Sequence, residues 1–125
     1  FPQSGSAKSN RTAAKSNSIT KGITIMIRHI VMWKFKDYAE GATKHENILK
    51  VKTMLEALPG KIDFIREMQV DINVNPKEGM YDAVLISAFD SLEDVEKYRV
   101  HPEHKKISSF VSLIRESRAS VDYEI

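Results

Sequence analysis

Cysteine is absent from the 125 residues, which excludes a disulfide framework, a cysteine nucleophile and a thiolate metal site. The cellular setting this fits is the cytoplasm. No apolar run approaches the roughly 20 residues needed to span a bilayer, so no membrane partner is expected. Glycine is scarce, and Gly41, Gly60 and Gly79 stand at turns rather than in a phosphate-cradling loop. Acidic side chains are missing from residues 1–25, which carry Lys8, Arg11, Lys15 and Lys21. Removing those four from the 19 basic residues leaves 15 against 17 acidic ones. The formal charge of +2 therefore belongs to the tail, and the patterned part has no basic stripe that would point to nucleic acid.

Residues 1–22 are rich in Ser, Lys, Asn and Ala and hold few large apolar side chains to offset the entropy of ordering, so residues 1–25 are set apart from the fold. They are expected to be a disordered extension or an expression remnant, with a transit peptide as the alternative. Residues 26–125 are expected to form one domain.

What is present is patterned. Ile27–Lys36 predicts a strand, with Ile27, His29, Val31, Trp33 and Phe35 on one side and Ile30 and Met32 at the centre of the other. Thr43–Leu58 predicts a helix whose stripe is Ile48, Val51, Met54, Leu55 and Leu58, stopped by Pro59-Gly60. Strands are predicted over Ile62–Val70 and Tyr81–Phe89. A short helix is predicted from Leu92 to Tyr98, and a second begins at Pro102 with Ile107, Phe110, Val111 and Ile114 as its stripe. Ala119–Ile125 predicts a last strand with Val121, Tyr123 and Ile125 turned inward.

This order, β-α-β-β-α-β, is that of an α+β, ferredoxin-like domain with a four-stranded antiparallel sheet. Two helices cover one face of such a sheet. Both faces of the first strand are apolar at its centre, so the second face needs a cover. The expected cover is another copy of the chain, which makes the protein its own partner in a dimeric α+β barrel. Val31, Trp33 and Phe35 are assigned to that open, barrel-interior face.

The opening strand IRHIVMWKFK, with its histidine and its terminal Phe-Lys, and the signature Tyr98-x-x-His101-Pro102-x-His104 resemble the stress-responsive A/B barrel (Dabb) family over residues 26–125. The resemblance implies a dimeric ferredoxin-like barrel. It implies less about activity, because members include plant stress proteins, a plant polyketide cyclase and many proteins without an assigned role.

Histidine is the side chain most suited to proton transfer near neutral pH. By resemblance to the cyclase, Tyr98 would polarise a carbonyl and His104 would act as general base. The first turn of a helix also lowers a histidine pKa. His29, Trp33 and His101 are candidate ligand-contacting residues, and His45 is expected on the surface. Two polar pocket positions of the cyclase align with Val51 and Ala83, which makes the same substrate unexpected. His101 and His104 lack an evident third partner, so no metal and no cofactor is expected. Three readings result: a barrel binding a small apolar or aromatic molecule, with cyclase-like acid–base chemistry; a non-enzymatic stress-related oligomer; and a cofactor-free monooxygenase-like enzyme.

Overall fold

The strand Ile27–Phe35 (β1) is the centre of the molecule, and every other layer is placed by what its two faces need. It pairs antiparallel with Ala83–Phe89 (β3) on one side and with Arg115–Glu124 (β4) on the other. Glu67–Ile72 (β2) adds antiparallel to β3, giving the order β2-β3-β1-β4. The helices are Lys44–Glu56 (α1), Leu92–Val100 (α2) and Pro102–Ile114 (α3). The computed structural model describes residues 19–20 and 23–125, and the expectation for the tail otherwise lies outside the described residues. Within it, Ile19–Thr20 and Ile23–Thr24 pair as two-residue strands.

Local chemistry sets the helix ends. Thr43 accepts from the Glu46 amide while the Glu46 carboxylate accepts from the Thr43 amide, a reciprocal box that starts α1. Ser91 caps α2 by accepting from Asp94 N–H. His101 caps α3 through its ring: Nδ1 accepts from Glu103 N–H at 3.1 Å, and Pro102 fills the first turn, where its missing N–H costs nothing.

The core corrects the face assignment. Ile27, Val31, Trp33 and Phe35 are buried within a single chain beneath the helices, packed with Ile48, Val51, Leu55, Ile107 and Val111. The open face is the other one: Ile30 and Met32 of β1, Val84 and Ile86 of β3, and Val121 and Tyr123 of β4. The last strand is inverted likewise. Val121, Tyr123 and Ile125 are exposed by 54%, 46% and 47%, not turned inward. Physically, the row with four large apolar side chains is the one that helix stripes can match. The row Arg28-Ile30-Met32-Lys34 is bounded by charge and is left outside.

A smaller correction concerns Ile62–Val70. Leu58–Gly60 forms a short 3-10 turn, and the Lys61 and Ile62 amides both donate to the Leu58 carbonyl. Ile62 and Ile65 reach the core from this coil, so their burial needs no strand, and β2 starts only at Glu67.

Candidate functional site

The covered face of the sheet is not sealed along its β4 edge. A cavity of about 390 Å³ opens there between sheet and helices. Its floor is His29, Val31 and Trp33 of β1 with Leu85 of β3; its roof is Tyr98 of α2 with His104, Ile107 and Val111 of α3. Its outer wall is the polar row Arg115, Arg118, Ser120 and Asp122 of β4.

The break between α2 and α3 brings Tyr98 and His104 together. His101 is extended (φ −65°, ψ 134°), which reverses the chain. The two rings then lie 4.1 Å apart between centroids. Tyr98 is 1% exposed and packs edge-on to His29 and obliquely to Phe89. Among the described residues its hydroxyl has no hydrogen-bond partner, an uncommon state for a buried polar atom. Burial pushes its pKa well above the usual phenol value, so it remains a neutral donor.

His104 Nδ1 lies 3.2 Å from the Arg99 carbonyl. A carbonyl only accepts, so Nδ1 carries the hydrogen and Nε2 of the neutral ring is the free lone pair. Its pKa is lowered, first by burial; the Arg99 carbonyl opposes this, and the charges of His29, Arg118 and Arg99 add to the lowering. The direction is the one expected from sequence, with desolvation as the principal cause.

His29 is buried on the floor, where its Nδ1 donates to Asp122 Oδ1 at 2.5 Å across the β1–β4 pairing. Its backbone carbonyl accepts from Ser87 Oγ. Nothing in the sequence pattern singles out Asp122, which alternates with the residues expected to turn inward. The alternation of β4 was visible, but which row faces the helices was not.

Of the candidates, Tyr98, His104, His29 and Trp33 share the cavity. His101 does not line it; its ring serves the helix cap. Val51 and Ala83 are buried in the core outside the lining. His45 is exposed. Among the described residues no group of three or more His, Asp or Glu side chains is placed to hold a metal ion, and no helix is long and apolar enough to cross a membrane. An unpartnered phenol beside a neutral imidazole can bind a carbonyl oxygen and take a proton from the adjacent carbon.

Residues 27–125 match the model of a family described as the stress responsive A/B barrel domain. An uncharacterised protein of Streptomyces coelicolor is 32% identical over 102 residues, covering 79% of this chain and 99% of the relative. Olivetolic acid cyclase of Cannabis sativa is 27% identical over 78 residues, 62% of this chain and 75% of the cyclase. A dimeric ferredoxin-like protein of unknown function from Bacteroides fragilis superposes with a TM-score of 0.69 at 39% identity, covering 80% of this chain and 96% of that one.

Proposed function

The chain belongs to the stress responsive A/B barrel domain family, and from that premise we propose that it is a homodimer whose subunits each bind a small, largely apolar carbonyl compound between sheet and helices. His104 Nε2 removes a proton next to the carbonyl, and Tyr98 donates its hydroxyl hydrogen to the oxygen as negative charge develops there. His29, held by Asp122, forms the floor and fixes the polar side of the ligand. The carrying observation is the Tyr98 hydroxyl: it is buried, without a partner among the described residues, and beside a neutral imidazole at a cavity. A purely structural role for the segment accounts for the His101 cap but leaves that hydroxyl unexplained.

The proposed dimer uses the apolar band of Ile30, Met32, Val84, Ile86, Val121 and Tyr123, with the related Bacteroides fragilis protein, described as dimeric, as support. The cyclase likeness supports acid–base chemistry of this kind.

Deuterium uptake at the methyl group of an aryl methyl ketone in D₂O, followed by proton NMR, tests the reading. Methyl 4-acetylbenzoate is a suitable probe. Uptake is expected above buffer with the native chain and roughly 10²-fold or more lower in His104→Gln. Uptake equal to buffer, or unchanged in both His104→Gln and Tyr98→Phe, overturns it.

A further inference from the structure

The outer wall of the cavity departs from what a helix-covered sheet face normally presents. On β1 and β3 that face is mainly apolar. On β4 it reads Arg115, Arg118, Ser120 and Asp122, set opposite Phe35, Trp33, Val31 and His29. Arg115 and Arg118 are three residues apart, so in a regular strand they would point to opposite faces. A register shift between Lys34 and Phe35 inserts one residue on β4, and both arginines thereby come to the cavity side.

These charges are poorly compensated. Among the described residues neither Arg115 nor Arg118 has a carboxylate within ion-pairing distance; Arg118 reaches only the Ser120 hydroxyl, at 3.4 Å. Arg99, a third guanidinium at the same mouth, reaches Glu96 at 3.6 Å on the solvent side. The one carboxylate in the wall, Asp122, is engaged by His29. Arg118 stands exposed at the rim, where partial desolvation and then the positive charges of Arg115 and Arg99 push its pKa down against the weaker opposing effects of Tyr98 and Asp122. Deeper in, Tyr98 offers an unused donor among apolar walls.

We propose that the ligand is a small organic carboxylate, held by Arg118 and Arg115 at the mouth with its uncharged body inside and its carbonyl against Tyr98. A planar guanidinium matches a carboxylate with two parallel hydrogen bonds. The lining contains neither lysine nor glycine, the usual elements of a phosphate cradle. The inference rests on the ligand cavity proposed above and adds the charge of its occupant.

The test compares 4-acetylbenzoate with its neutral methyl ester by calorimetric titration of the full chain, and repeats it with Arg118→Gln and Arg118→Lys. The acid is expected to bind roughly tenfold more tightly than the ester, the energy of one charge-assisted contact. That preference should vanish in Arg118→Gln, persist in part in Arg118→Lys, and shrink with added sodium chloride. Thermal melts of the variants report whether the fold is retained. Equal affinity for acid and ester overturns the charge assignment while leaving the cavity reading intact. An acid preference that survives Arg118→Gln also overturns it, as does binding of 4-acetophenyl phosphate in place of the acid. Binding of neither ketone overturns both readings. A preference for the acid without deuterium uptake upholds the charge assignment and removes the acid–base chemistry.

Discussion

The ring of His104 lies 4.1 Å from the ring of Tyr98, and the Tyr98 hydroxyl has no partner among the described residues. A buried polar atom left unpaired costs about 1–3 kcal/mol. Tyr98→Phe removes the atom and keeps the ring. It is expected to stabilise the free protein by about 1 kcal/mol, a rise in melting temperature of about 4–8 °C for a domain of this size. The same change should lower ketone deuteration. Lower stability in Tyr98→Phe would show that the hydroxyl serves the fold.

The lowered pKa of His104 makes a second test. Its Hε1 shift in an NMR titration should move with a midpoint below 6.5. Between the ordinary value and the lowered one, the unfolded chain holds a proton that the native chain lacks. Stability is therefore full above that window and falls as pH falls through it. In His104→Gln that part of the pH dependence should disappear from urea titrations. A midpoint at or above 6.5 contradicts the burial argument.

On the open sheet face, Val121 is 54% exposed and sits opposite Ile30, with Met32 nearby. A two-fold dimer repeats every change on both sides of its interface. Val121→Asp is expected to place two like charges in an apolar contact and give a monomer of 14.2 kDa by light scattering. An unchanged dimer would mean that another surface pairs.

The His29–Asp122 pair crosses from β1 to β4 at 2.5 Å, with the carboxylate partly in solvent. Screening reduces its contribution to about 1 kcal/mol. Asp122→Asn should lower urea stability by about that amount and slow ketone deuteration through a less firmly held floor. Unaltered values for both would reduce Asp122 to a surface residue.

Much of the fold was legible because it is written in local chemistry. The stripe of α1, the Pro59-Gly60 stop, the Pro102 start and the apolar run of β3 each act within a few residues. The Tyr98–His104 approach could be anticipated, since a proline two residues before His104 forces a break that folds α3 back on α2. Asp122 and the arginines of β4 could not, because nothing local says which row of an edge strand faces the helices. Ile62 and Ile65 were misread for a related reason: burial in a coil and burial in a strand use the same residue types.

By itself the sequence determined that an α+β sheet forms with both faces apolar at its centre, and that a tyrosine and two histidines flank one helix break. Only the tertiary structure decided which face the helices take. Trp33, Phe35, Val31 and Ile27 supply the larger apolar area, and burying it within the chain avoids the translational and rotational entropy that a partner would have to offset. That choice set the cavity inside the chain, brought Arg115 and Arg118 to its wall through one register shift, and left Met32, Val121 and Tyr123 outside.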